Sequence, residues 1–170
     1  DTGSSTFDDG VRLSNCATKD QEGGINIRDQ DRGSIVGCSF TGCTKVNSNI
    51  IQGIVSDWVL SGCEIEGTLV GITLTPSVSN CILSGNVIYG GTFGIVFRGS
   101  DSVIKNNNLS DNSNVDIYLQ STCLRSTVTG NSCNSTGVGN SIFEDGTSDF
   151  NNIQGNVGNG NFVVTVGSSV

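Results

Sequence analysis

The chain has 170 residues, 35% hydrophobic and 14% charged, with a net charge of −8 from 8 basic and 16 acidic side chains. Its basic residues are scattered, so the contiguous cationic track that nucleic acid requires is missing, and no apolar run approaches the roughly 20 residues of a membrane-spanning helix. His and Met are both absent, which excludes an imidazole base at neutral pH and the usual Ser-His and Cys-His nucleophiles.

Residues 1 to 24 carry the weakest pattern, with neither a basic leader followed by an apolar stretch nor an amphipathic cap. The chain opens on Asp1 and is expected to be a segment of a longer polypeptide. From Leu13 onward an aliphatic residue recurs as Leu13, Ile35, Leu60, Leu83, Ile104, Val128 and Ile153, at intervals of 22, 25, 23, 21, 24 and 25. A period in this range marks a solenoid, in which each repeat buries its apolar face only by stacking on its neighbours. A second column, Ile25, Ile50, Ile72, Ile95, Ile117, Ile142 and Val164, runs beside the first. A third follows as Thr18, Phe40, Ile65, Ile88, Leu109, Cys133 and Gly158. Three short strands and three turns per repeat predict an all-β, single-stranded parallel β-helix of about seven coils of 21 to 25 residues, one domain over residues 1–170.

Three positions after each member of the first column stands Cys16, Cys38, Cys63, Asn86, Asn107, Asn131 or Asn156. With coils about 4.8 Å apart, each Asn amide reaches the next, satisfying polar groups inside the solenoid. Cys fills the same corner as a small apolar thiol. Gly37, Gly62, Gly85, Gly130 and Gly155 precede this column and supply the left-handed backbone a corner needs. Seven Cys is an odd number, so at least one thiol is free; stacked Cys also have the separation a disulfide permits. No zinc spacing is present, and no metal or other cofactor is expected. Two Asn-X-Ser/Thr acceptors, at Asn108 and Asn134, arise by chance in so Asn- and Ser-rich a chain.

The stretches at 85–120 (GNVIYGGTFGIVFRGSDSVIKNNNLSDNSNVDIYLQ) and 126–157 (STVTGNSCNSTGVGNSIFEDGTSDFNNIQGNV) resemble the right-handed parallel β-helix repeats of the pectin-lyase-like superfamily. That group includes pectate lyases, mannuronan epimerases, periplasmic NosD-type proteins and bacteriophage tailspikes. The resemblance covers nearly the whole chain and is closest to tailspike and tail-fibre segments. It implies the fold; the activity lives in sites grafted on the scaffold. Right-handedness follows from the resemblance and from the crossover rule.

Two acidic turns are candidates for chemistry. Asp29 and Asp31, flanked by Arg28 and Arg32, offer paired carboxylates for glycoside cleavage, or Ca²⁺ ligands beside an arginine base, as the resemblance to pectate lyases implies; the competing reading is a self-neutralising solvated turn. Glu144 and Asp145 form the second, with Asp149 and with Gln120 one coil below. Glu144 falls at an inward position where an ionised carboxylate is costly, so either the strand ends at Phe143 or the carboxyl is held protonated as a general acid; the first is expected. Arg98 occupies the turn corresponding to that of Arg28, three coils away, and with it forms a candidate ligand groove. Copper binding of the NosD type is disfavoured by the absence of His and Met.

An outward row, Asn26, Ile51, Thr73, Val96, Tyr118, Phe143 and Thr165, completes the pattern. Ile51, Val96, Tyr118 and Phe143 make it apolar, to be covered by a loop, by sister copies in a homotrimer, or by a sugar stacked on Tyr118 and Phe143. The reading is an extracellular or virion-surface β-helix of a tailspike or tail fibre contacting cell-surface polysaccharide. The alternatives are a secreted polysaccharide lyase or glycoside hydrolase, and a bacterial adhesin or filament subunit.

Overall fold

A computed structural model describes residues 10–19, 25–28, 31–42, 47–52, 55–67, 69–136, 139–146 and 148–164. Three seven-stranded parallel sheets run along the solenoid. The first extends from Val11–Ser14 to Asn152–Gln154, the second from Asn26–Arg28 to Asn161–Val163, and the third from Ala17–Lys19 to Val157–Gly158. Neighbours within each sheet are successive coils. Seven strands per sheet enclose six complete turns, slightly fewer than the seven expected. Among the described residues no helix is long and apolar enough to cross a membrane.

The first column is continuous in register, from Leu13 against Ile35 to Val128 against Ile153. The third is likewise continuous from Thr18 to Gly158. Side chains of all three columns form one core, in which Ile65, Ile72, Ile88, Ile95, Ile104, Leu109 and Ile117 have no solvent exposure. The second column departs from expectation at both ends. Thr73 pairs with Ile50 and Leu74 with Ile51, while Asn26 and Ile27 meet Ile50 and Ile51. By register Ile51 thus shares the row of Leu74, and Ile50 the row of Thr73 that had been assigned to Ile51. An Ile-Ile doublet satisfies either alternation, and the three-coil register decides between them. In the last coil a register shift sets Phe162 against Ile142 and Val163 against Phe143, so Val163 replaces Thr165 in the outward row.

The ladder runs as its chemistry requires. Asn86 donates its amide N–H and its Nδ2 to Asn107 Oδ1 at 3.0 and 2.9 Å; Asn107 does the same to Asn131, and Asn131 to Asn156. Each Asn Nδ2 also donates to a first-sheet carbonyl of the preceding coil, such as Leu60 O or Leu83 O. Where the column turns to Cys, the Cys16 N–H points at Cys38 Sγ, 3.4 Å away. The six described cysteines are free thiols, with Cys16 exposed and the others buried; Cys43 lies outside the described residues. A second ladder at another corner passes from Cys81 N–H to Ser102 Oγ, from Ser102 N–H to Ser126 Oγ, and from Ser126 N–H to Asn151 Oδ1. Beside it stands a file of left-handed residues, Arg32, Asp57, Asn80, Asp101, Arg125 and Phe150, with φ between 51° and 59°.

Candidate functional site

The site is built on the outward face of the second sheet, across Val70–Leu74, Phe93–Phe97, Val115–Leu119 and Asn140–Glu144. Alternation places Thr73, Val96, Tyr118 and Phe143 outward in one register row. A second outward row arises because these strands point two consecutive residues inward. Gly71 and Gly94 both face the interior: a Cβ on Gly94 would lie 2.6 Å from Leu109 Cδ2 and from the Asp116 carbonyl oxygen. Ile72 and Ile95, the next residues, are also fully buried. The residue before the glycine is thereby turned out, which adds Val70 and Phe93 to the face.

The rings stack along the solenoid axis. Phe93 and Tyr118 have centroids 5.9 Å apart at an interplanar angle of 26°, and Tyr118 meets Phe143 edge-on at 5.3 Å. Val70, Thr73, Phe93, Val96, Arg98, Tyr118 and Gln120 line a groove of about 220 Å³. Val96 and Val70 are each 6% exposed within the single chain, so the face is a recess with half-buried rings on its walls. Its polar edge is made by Arg98 Nε donating to Gln120 Oε1. The Thr122 hydroxyl, donating to the Arg98 carbonyl at 2.8 Å, ties the turn down. Thr73 Oγ1 is buried beside the groove with no hydrogen-bond partner.

Of the residues singled out in the sequence, Arg98, Val96, Tyr118 and Phe143 come together here. Ile51 shares the row of Leu74 by register. Arg28 ends its strand opposite Gln52, on an edge strand three strands from the one that precedes Arg98, and Asp29 lies outside the described residues. Asp31 accepts a hydrogen bond from Ser56 Oγ at 3.0 Å. The strand does not end at Phe143: it includes Glu144, which is inward, 1% exposed, and accepts from Asn151 Nδ2 at 2.7 Å. That bond gives the buried polar side chain a partner at an inward position that burial alone would penalise. Asp145 follows on the surface, its N–H bonded to Leu119 O. Asp31, Glu144 and Asp145 therefore do not converge.

Sequence reasoning missed Phe93 and Val70, because strict alternation from buried Ile95 and Ile72 assigns them to the inward face. It also missed Asp116. This side chain is fully buried between Val115 and Ile117 and occupies the inward row of Gly71 and Gly94. Asn112 Nδ2 donates to its Oδ1 at 2.8 Å, Oδ2 has no partner, and neither does the nearby Ser135 hydroxyl. Burial pushes the Asp116 carboxyl up to about 6, against the opposing pull of the Asn112 bond.

A protein-family profile described as "Periplasmic copper-binding protein (NosD)" matches residues 3–169. No curated protein matches the chain in sequence. Among solved structures, a mutant DFA-IIIase from Arthrobacter chlorophenolicus A6 in complex with DFA-III is similar at a TM-score of 0.65 and 13% identity, over 93% of this chain and 47% of that one. The chain thus spans about half the length of that structure, and at this identity the likeness establishes the fold alone.

The donor set does not fit copper. There is no imidazole or thioether in the chain, and among the described residues no three His, Cys, Asp or Glu side chains converge. Burial raises the thiol of Cys81 to about 11, that of Cys123 to about 12, and those of Cys63 and Cys133 as well. Such thiols resist the deprotonation that metal ligation needs.

Proposed function

The chain belongs to the NosD family, and on that premise we propose that it is an extracytoplasmic recognition solenoid that holds cell-envelope carbohydrate against the outward face of its second sheet. The observation that carries the reading is the file of Phe93, Tyr118 and Phe143 rings beside the Arg98–Gln120 edge. A pyranose presents an apolar C–H face to a ring and hydroxyls to a polar rim, the combination a binding site offers when a few polar groups orient a ligand on an apolar floor. Coils repeat about every 4.8 Å, and one pyranose advances an extended glycan by a comparable step, so a chain laid along the axis meets one ring per coil. The family's description as periplasmic supports a location outside the cytoplasm. Titration of the intact protein against a panel of envelope polysaccharides tests the proposal. Tyr118→Ala weakens binding at least tenfold at an unchanged melting temperature; equal binding by this variant, or no binding by the parent protein, overturns the reading.

A virion tailspike or tail fibre is the second setting, in which three copies pack about a common axis. The end of the outward row supports it, since Val163 is 38% exposed. Light scattering decides: a threefold mass favours the fibre, and a single-chain mass assigns recognition to a monomer. The lyase or hydrolase alternative needs two carboxylates within about 10 Å across a groove, and it gains no support from Asp31, Glu144 and Asp145.

A further inference from the structure

We propose that Cys16 and Cys38 are a redox modification site, joined as a disulfide between the first two described coils when the protein meets a disulfide-bearing oxidant. Cys16, Cys38 and Cys63 stack in one file where the Asn ladder gives way to thiols. Backbone bonds clamp the pair on both sides: Asn15 N–H donates to Val36 O at 3.1 Å and Ser39 N–H to Cys16 O at 2.8 Å. The registers of Ser14 with Val36 and of Ala17 with Ser39 set Cys16 beside Cys38. Their separation is the coil spacing of about 4.8 Å, inside the Cα range of about 4.4 to 6.8 Å that a disulfide accepts. The thiols share one orientation, since Cys16, Cys38 and Cys63 Sγ each donate to the carbonyl two residues back, at 3.5, 3.5 and 3.4 Å. Parallel side chains one coil apart reach each other by rotation about their Cα–Cβ bonds. The Cys16 N–H already points at Cys38 Sγ, 3.4 Å away.

Core packing does not explain a thiol at Cys16, which is exposed while the other described cysteines are buried. Exposure makes it the point of entry for an oxidant. Cys63 is a poor one, because burial, the largest cause, raises its thiol and only the thiolate attacks. The Cys16 thiolate attacks one sulfur of the oxidant's disulfide, forming a mixed disulfide and releasing the other sulfur as a thiolate. Cys38, deprotonated to solvent, then attacks Cys16 Sγ and displaces the remaining oxidant sulfur. The chain gives up two protons and two electrons, and the oxidant's disulfide becomes two thiols. Disulfide donors of this class act outside the cytoplasm, in keeping with the family's description as periplasmic. The bond straps an edge: Val11–Ser14 and Ala17–Lys19 are edge strands among the described residues. Later coils are tied at this corner by the side-chain amides of Asn86, Asn107 and Asn131, and the disulfide supplies a tie where thiols stand instead.

The test incubates the reduced protein, in a Cys43→Ser background, with oxidised glutathione. Before oxidation a thiol reagent labels Cys16. Afterwards the mass has fallen by about 2 Da, Cys16 no longer labels, and trypsin, which cuts after Lys and Arg, yields peptides 13–19 and 33–45 as one species that a reductant separates. Amide hydrogen exchange over residues 11–19 slows about tenfold or more, as a strapped edge coil requires. Cys38→Ser stops at the mixed disulfide, so Cys16 keeps one glutathione. Cys16→Ser, which alters only an exposed position, leaves every remaining thiol reduced. Continued labelling of Cys16, a glutathione retained on Cys16 beside intact Cys38, a linkage of Cys38 to Cys63, or dimers joined through Cys16 overturns the assignment. A Cys16→Ser variant that still loses about 2 Da overturns it as well. Linkage of the two peptides with unchanged exchange over 11–19 overturns the strapping role.

Discussion

Replacing Asp116 with Asn makes the protein more stable above pH 7 and changes it little near pH 4. The native carboxyl titrates at about 6 instead of 3.8, a rise of about 2 units, or about 3 kcal/mol at 1.36 kcal/mol per unit. The sign follows from burial, the largest cause: the fold favours the protonated acid, so its stabilising effect is full below the unfolded value and is lost as pH rises through about 6. Asn is neutral at every pH and keeps the acceptor for Asn112 Nδ2, losing only the weaker pull of the Ser135 backbone on the charged form. The other titratable groups nearby are the buried Cys133 thiol, itself raised by burial, and exposed Asp111, whose charge adds a small upward push on Asp116. Urea unfolding at pH 4 and pH 8 reads the effect: Asp116→Asn gains about 2 to 3 kcal/mol at pH 8 and under about 1 at pH 4. An equal change at both pH values, or a loss at pH 8, refutes the assignment of a buried, uncompensated charge.

Asn107→Ala removes the acceptor of two Asn86 donors and the donor to Leu83 O; leaving these buried groups unpaired costs about 3 to 4 kcal/mol, measured as a drop in urea midpoint. Phe150 holds φ at 57° while 68% exposed, so Phe150→Gly raises stability by about 1 kcal/mol in the same assay. In a Cys43→Ser background a thiol reagent labels exposed Cys16 in the native protein. It reaches Cys38, Cys63, Cys81, Cys123 and Cys133 only on unfolding; native labelling of Cys123 contradicts its burial.

Two of the three inward columns were legible because each stands at a fixed offset from the Cys/Asn corner, three residues before it from Leu13 to Ile153 and two after it from Thr18 to Gly158. The second column failed at Ile50-Ile51, where both residues fit the inward position and only the pairing with Asn26 and Thr73 resolves them. The corner ladder was readable from the Asn spacing alone, since a buried amide every 21 to 25 residues has few other uses. The left-handed file through Arg32, Asp57, Asn80, Asp101, Arg125 and Phe150 was not, because glycine, the usual signal for that backbone, is absent from it. Half of the candidate site was visible as Val96, Tyr118 and Phe143. Phe93 stayed hidden because two successive inward residues, Gly94 and Ile95, break the period of two. Asp116 stayed hidden for the same reason: glycine holds its row in two neighbouring coils, so no aliphatic pattern marks the row as interior.

Because the Asn ladder and all three columns repeat once per coil, the natural unit of change in this chain is a whole coil. Excising residues 86–106 joins Gly85 directly to Asn107 and sets Leu109 over Ile65 and Val128 over Leu83, each in the column it already occupies. The groove is read across several coils, and the excised coil carries Phe93 and Val96. Loss or duplication of one such unit would leave the architecture intact while shortening or lengthening the stretch of ligand that can be read. Lineages carrying this fold can therefore retune what they recognise by slippage of a repeat, without passing through a misfolded intermediate sequence.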